Sequence, residues 1–282
     1  MPGQVDLLRV ALQIGLYIFF YVLFLIFFAI SPLPSLLGMF AGSALSVFIS
    51  GVATNILTLR IYEGRKLADI GFHWNPTSAH NLIWGLAGGV GSALVVLGSP
   101  LAVHAASLQP AVTEAHFRIF LWVMIMLIFG AAGEEVLFRG YGFQVLLRSV
   151  GPYATILPVG VLFGLLHAFN PHPSIISVVN TAGFGILFGY AFLRSRDLWL
   201  PFGLHFGWNF TLPLFGADVS GIKIGVTGYE MHWNAGVLWS GGDYGPEASV
   251  LCSGVLVALF AFLWKAPIRQ QRNLLLDEPV EK

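Results

Sequence analysis

The chain has 282 residues, of which 56% are hydrophobic and only 10% are charged, whereas a soluble globular domain carries about 25% charged residues. This composition excludes an ordinary soluble domain and predicts an integral membrane protein. The 14 basic and 14 acidic residues cancel, so the charge balance gives no argument for a nucleic-acid partner, and we expect none.

Apolar runs long enough to cross a bilayer recur along most of the chain. A transmembrane helix needs roughly 20 mainly apolar residues, and about eight such runs can be placed. They predict an all-α fold, a polytopic membrane helix bundle in a single domain, 1–282, whose first partner is the lipid bilayer. In chain order the runs cover approximately 10–30, 36–58, 82–104, 119–138, 153–169, 175–193, 198–216 and 248–264.

The polar segments predict how the bundle is oriented. With a cytoplasmic N-terminus, only Arg118 and Lys223 of the basic residues lie outside, so the positive-inside rule predicts that both termini are cytoplasmic. The Gly-rich region 217–247 is too polar to span and is predicted to be a long outer loop without regular structure. Region 265–282 is predicted to be a charged, mobile cytoplasmic tail.

The fourth run ends in two adjacent carboxylates, Glu134 and Glu135, with Arg139 four residues after the second. Charged groups at membrane depth are costly and usually functional. In a helix, Glu135 and Arg139 share a face and can pair, with a bidentate contact between the guanidinium and the carboxylate. Glu134 points about 100° away and stays available as a general base or acid. The alternative is a buried ion-pair network that only holds helices together.

Two further motifs lie on later runs. Phe163 and His167 share a helix face in the fifth run, and the polar residues His205 and Asn209 lie one turn apart in the seventh. Two polar groups aligned at that depth are unlikely to face lipid. His167, and likewise the pair His205 and Asn209, could also serve only in hydrogen bonds between helices.

Glu134 and these polar groups can form one intramembrane site that works in either of two ways. A carboxylate and a histidine could deprotonate a water while the other histidine and Asn209 bind a developing oxyanion. Alternatively Glu134, His167 and His205 could hold zinc and leave an open position for water. Both routes end in amide hydrolysis.

The three motifs Glu-Glu-x-x-x-Arg, Phe-x-x-x-His and His-x-x-x-Asn, in this order from Glu134 to Asn209, resemble those of the CPBP family. This is the CAAX-protease and bacteriocin-processing group, also called Abi, which includes the Ras-converting CAAX endopeptidases. The resemblance covers a core of roughly 119–216. It implies an intramembrane endopeptidase with a CAAX-endopeptidase-like catalytic core.

The resemblance also implies roles for individual residues. Glu134 and His167 would activate the water, and His205 and Asn209 would bind the oxyanion. Family members have been described as glutamate-dependent proteases and as metalloproteases. The glutamate type with no cofactor is favoured here, because Asn209 is a poor zinc ligand and Glu134 and His167 suffice for water activation, and zinc stays possible.

Glu135, Arg139 and Phe163 are expected to support the site. The expected substrate is a membrane-embedded or lipid-anchored peptide or protein. A compact chain of this kind resembles bacterial members, so we expect a bacterial cell-membrane protein for which prenyl-protein processing is not the default. Region 241–247 also resembles a Gly-Pro-Glu feature of many bacterial members, and we interpret it as a turn that leads into the last helix.

Two other functional classes use the same residues. The buried ionisable groups could line a proton or ion path in a transporter, although transporters commonly contain inverted repeats and no second copy of the carboxylate pair is found. A catalytically idle scaffold on the same fold is the third reading, because fold alone does not establish activity.

Overall fold

A computed structural model of the chain describes residues 6–111 and 116–277. Over these residues the chain is a bundle of α-helices with one small two-stranded sheet, and the all-α expectation is confirmed. In chain order the helices are α1 (Leu7–Ala29), α2 (Leu33–Leu37), α3 (Met39–Tyr62), α4 (Pro76–Ala102), α5 (Phe117–Arg139), α6 (Tyr141–Val150), α7 (Pro152–His167), α8 (Ile175–Ser195), α9 (Trp199–Leu214), α10 (Val237–Ser240), α11 (Val250–Lys265) and α12 (Leu274–Asp277).

The helices match the predicted runs, since each run overlaps one of α1, α3, α4, α5, α7, α8, α9 and α11. In the described part of the chain, five stretches are long and apolar enough to cross a membrane: α1, α3, α4, α8 and the continuous stretch Phe117–Val150. Helices α7 and α11 are apolar but shorter. The protein is therefore an integral membrane protein in which short helices accompany full-length ones.

Helix α9 is held against α4 by glycines at which the two backbones nearly touch. A Cβ atom added at Gly89 would lie 2.2 Å from the carbonyl oxygen of Leu204, and one added at Gly203 would lie 2.7 Å from that of Leu82. Small residues allow such close approach between membrane helices. The contact fixes the position of α9, which carries His205 and Asn209.

The C-terminal end of α5 is fixed by side chains from α1 and α3. Asn55 donates to the carbonyl of Val136 (3.1 Å) and accepts from the backbone N–H of Tyr141 (2.6 Å). The Tyr17 hydroxyl donates to the carbonyl of Leu137 (2.8 Å). These bonds satisfy carbonyls that a helix end leaves without partners, so the helix turn that bears the two carboxylates is anchored.

Region 217–247, called the outer region after its predicted location, contains regular structure, contrary to the expectation of an irregular loop. Strand β1 (Ala106–Pro110) pairs antiparallel with β2 (Tyr229–Trp233), and α10 follows. The pairing joins segments about 120 residues apart, so the backbone hydrogen bonds that stabilise β2 come from a partner that no local pattern in the region indicates.

The described part of the C-terminal tail is packed, which corrects the expectation of a mobile segment. Gln271 donates to Asp197 (2.9 Å), Asn273 donates to Gln144 (3.0 Å), and Leu275 is buried. Polar side chains that would suit an exposed tail are instead partners of buried polar groups at the ends of the helices.

Gly89→Ala is expected to destabilise the protein by roughly 1–3 kcal/mol, because its Cβ would overpack the contact between α4 and α9. The measurement is the thermal unfolding midpoint in detergent. Gly91→Ala is the matched control on the same helix, since a Cβ there meets nothing within 4 Å and alanine favours a helix. Equal midpoints for the two variants would contradict the close packing.

Candidate active site

The first part of the site is a buried ion pair on α5. Nη1 of Arg139 lies 3.3 Å from Oε1 of Glu135, and both side chains are fully buried. The other guanidinium nitrogen, Nη2, donates to the carbonyl oxygen of Gly185 (2.8 Å). The guanidinium therefore bonds Glu135 on α5 and Gly185 on α8 through different nitrogens, whereas the sequence predicted a bidentate contact with the carboxylate.

Aromatic rings enclose the same guanidinium. Its carbon atom Cζ lies 5.3 Å from the ring centres of Phe163 and Phe188 and 5.7 Å from that of Phe138. A cation over aromatic faces in a desolvated place is attracted to them. Phe163, expected to support the site, also lies 4.6 Å from the His167 ring between ring centres.

Glu134 faces both histidines across short gaps. Its Oε2 atom lies 3.8 Å from Nε2 of His205 and 3.9 Å from Nε2 of His167. The Glu134 side chain is 30% exposed, yet Oε2 itself is buried and makes no hydrogen bond among the described residues. These gaps are too long for direct hydrogen bonds, and each is short enough for one bridging water.

The two histidines are oriented by partners of different charge. Nδ1 of His167 lies 2.8 Å from the carbonyl oxygen of Phe163, and Nδ1 of His205 lies 2.9 Å from Oε1 of Glu135. Both partners only accept, so each Nδ1 carries a proton. A neutral ring backed by a carbonyl presents an Nε2 lone pair, whereas a carboxylate also stabilises the doubly protonated ring, which presents Nε2–H.

Charge balance favours the doubly protonated form at His205. Glu134 and Glu135 carry two negative charges, and Arg139 supplies one positive charge. A protonated His205, in contact with Glu135 and near Glu134, would bring the sum over these four side chains to zero, with the carboxyl of Glu247 in the adjoining small cavity not counted. Buried charges persist only when they are paired in this way.

The catalytic candidates line one cavity of about 270 Å³: Glu134, His167, His205 and Asn209. The backbone around it is partly non-helical, because Asn170 and Ser220, which lie in connecting segments, also line it. Non-helical backbone at membrane depth is tolerated where it is buried in protein or borders water. A larger, mainly apolar cavity of about 400 Å³ borders β2 and α11 and contains none of these residues.

The possible zinc ligands were Glu134, His167 and His205. In residues 6–111 and 116–277, no group of three or more His, Cys, Asp or Glu side chains has the arrangement of a metal site. Nδ1 of each histidine points at an oxygen acceptor and leaves Nε2 toward Glu134. Such a partner behind the ring is usual for a zinc-binding histidine and equally suits a histidine that bonds water.

Sequence reasoning missed one carboxylate of this region, Glu247. It is buried, accepts a hydrogen bond from the Trp208 indole N–H (3.1 Å), and lines a cavity of about 20 Å³ together with His167, His205 and Asn209. The Gly-Pro-Glu resemblance was the available signal. It was interpreted as a turn because nothing local in the sequence shows where the side chain points.

Comparison with known proteins finds a family model that matches part of the chain. Residues 116–211 match the model described as "Type II CAAX prenyl endopeptidase Rce1-like". No curated protein matches the chain. The matched range contains all three motifs, and the resemblance to the CPBP family is confirmed over it. The match supports a CAAX-type intramembrane endopeptidase in general.

Arg139→Lys is expected to lower both the yield and the unfolding temperature, because a point charge cannot bond Glu135 and the Gly185 carbonyl while lying among three rings. Arg139→Ala should cost about 3–5 kcal/mol, since it leaves a buried carboxylate without its cation. The control is Lys223→Ala, which removes an exposed ion pair worth little. Normal expression and stability of Arg139→Ala would contradict the role of the pair.

Proposed function

We propose that the protein is an intramembrane endopeptidase that hydrolyses a peptide bond in a membrane-embedded or lipid-anchored protein or peptide. The observation that carries the proposal is the convergence of both Nε2 atoms on Oε2 of Glu134, at 3.8 and 3.9 Å, with His167 backed by a carbonyl and His205 by a carboxylate. Nε2 of His167 is thereby suited to accept a hydrogen bond, and Nε2 of a protonated His205 is suited to donate one.

Glu134 and His167 activate the water in this proposal. A water about 2.8 Å from Oε2 and from Nε2 spans the 3.9 Å gap between them. Glu134 takes one proton as the water oxygen forms a bond to the carbonyl carbon of the substrate, and His167 accepts the second hydrogen bond and orients the water. Glu134 then gives the proton to the leaving amine as the carbon–nitrogen bond breaks.

His205 and Asn209 stabilise the oxyanion that forms in the first step. The protonated His205 ring donates through Nε2, and the Asn209 amide donates through its NH₂ group. Donors held in place in a low-dielectric site stabilise the developing charge more than water does. Glu135 and Arg139 keep His205 charged and in place, which is why a second carboxylate next to the catalytic one is useful.

The metal-free glutamate mechanism is the form we propose, and it is testable against zinc catalysis and transport. The substrate class is first obtained by comparing membrane proteomes of deletion and Glu134→Gln strains with the parent strain. Peptides that stay uncut in both strains are the candidates for assays with purified protein.

Glu134→Gln keeps the shape of the side chain but cannot accept the proton, so cleavage should fall by roughly 10²-fold or more while substrate still binds.

Purified parent protein should contain no stoichiometric metal and keep its rate with a chelator present. Glu230→Gln, at an exposed ion pair of the outer region, should match the parent. Loss of activity on chelation with recovery by zinc would overturn the metal-free form. An ion flux in proteoliposomes that Glu134→Gln abolishes, with no peptide cleaved by the parent, would favour a transporter.

Asn209→Ala is expected to lower kcat by about 10²–10³-fold with a small change in KM, as for the removal of one oxyanion donor. Kinetics with the peptide identified from the proteomes would measure both constants. Asn234→Ala is the control, because this exposed asparagine lies in the outer region. A rise in KM with kcat unchanged would assign Asn209 to substrate binding instead.

A further inference from the structure

Glu247 is a buried carboxylate that the proposed mechanism does not use. It lies in the 3₁₀ turn Pro246–Ala248 directly before α11, and 5% of it is exposed. Burial raises the pKa of the Glu247 carboxyl, and hydrogen bonds from Ser220 and Trp208 oppose that rise. A carboxylate in such a place costs free energy unless its partners are specific and close.

The contacts of Glu247 join three parts of the molecule. Its Oε1 atom accepts from the Trp208 indole N–H of α9 at 3.1 Å, and its Oε2 atom accepts from the backbone N–H of Ser220 in the outer region. Its own backbone carbonyl accepts from the Asn180 amide of α8 at 2.8 Å. One residue therefore connects α8, α9 and the outer region.

The connected groups border the catalytic cavity. Trp208 directly precedes Asn209 in the chain, and it is buried against α8, with its ring centre 4.9 Å from that of Phe184. Ser220 lines both the catalytic cavity and the small cavity behind it, and His167 lines both as well. Movement of Ser220 would displace a wall of the catalytic cavity, and movement of Trp208 would displace a wall of the small one.

We propose that Glu247 is a positioning residue of the active site: it fixes the direction of Asn209 through Trp208 and holds Ser220 against the catalytic cavity. This inference rests on the proposed function. It assigns a role to the outer region, which then forms part of the site and does not merely connect α9 to α11.

The chemistry of the partners explains why a carboxylate is needed. Trp208 and Ser220 each present an N–H donor, so both oxygens of Glu247 must accept. Glutamine has the same shape but turns an NH₂ group toward one of the two donors. A buried donor is then left without an acceptor, and one of the two connections opens.

Kinetics test the effect on Asn209. In Glu247→Gln, kcat should fall about tenfold or more with little change in KM, since misplacement of a catalytic group lowers the rate of the chemical step. Trp208→Phe removes the N–H donor and keeps a ring, so it should also lower kcat. The double variant should lose less kcat than the product of the two single fold-losses, because both changes break the same connection. Asp243→Asn, an exposed carboxylate of the same region, should match the parent. A double variant whose loss in kcat equals the product of the two single losses would overturn the inference, as would an unchanged kcat in Trp208→Phe.

Thiol labelling tests whether Glu247 holds Ser220 in place, and it needs no activity assay. Ser220→Cys keeps the backbone N–H that bonds Glu247 and replaces the hydroxyl, which also bonds Glu247, with a thiol. It is placed in a Cys252→Ala background because Cys252 is the native cysteine, and all labelling rates are compared within that background. A maleimide should react with the new thiol about tenfold faster, or more, when Glu247→Gln is added, and at the parent rate when Asp243→Asn is added. Equal labelling rates with and without Glu247→Gln would contradict the proposal that Glu247 holds Ser220 in place.

The two proposals fail in different ways. If the parent protein cleaves no candidate peptide, the proposed function fails, and the labelling rates still decide whether Glu247 holds Ser220. If the parent cleaves and Glu247→Gln shows the parent's kcat and labelling rate, the positioning role fails alone.

Discussion

The buried contact of Arg139, Glu135 and His205 is the constraint on which the rest of the site depends. Oε1 of Glu135 receives the guanidinium at 3.3 Å and the imidazole at 2.9 Å. A buried carboxylate is costly without a cation, and Arg139 supplies one, while a protonated His205 would supply a second. The contact also joins α5 to α9, so the electrostatics of the site and the packing of the bundle are satisfied by the same three side chains.

Several parts of the bundle maintain that contact. Asn55 and Tyr17 hold the end of α5, and Gly89 allows α9 to lie close against α4. The outer region closes the site from the other side, because Ser220 lines the cavity and Glu247 bonds Ser220 and Trp208. A carboxylate, two histidines and an asparagine thus meet among non-helical segments that a lipid-facing surface could not contain.

The predictions that succeeded rest on local patterns. Apolar runs of about 20 residues indicate helices whatever their partners are, and the four-residue spacing of Glu135 and Arg139 places both on one helix face. The predictions that failed depend on distant partners. The tail packs because Gln271 reaches Asp197, and strand β2 exists because β1 pairs with it. Neither partner is visible from the segment itself.

The sequence by itself determined the class of the protein: a membrane helix bundle with costly ionisable residues inside its apolar runs and three motifs that resemble those of the CPBP family. Only the tertiary structure decided which groups meet. It separated the surroundings of the two histidines, with a carbonyl behind His167 and a carboxylate behind His205, and it brought Glu247 to the wall of the cavity. The physical reason is that spacing along a helix sets the direction of a side chain, whereas its charge partners are set by how the helices pack.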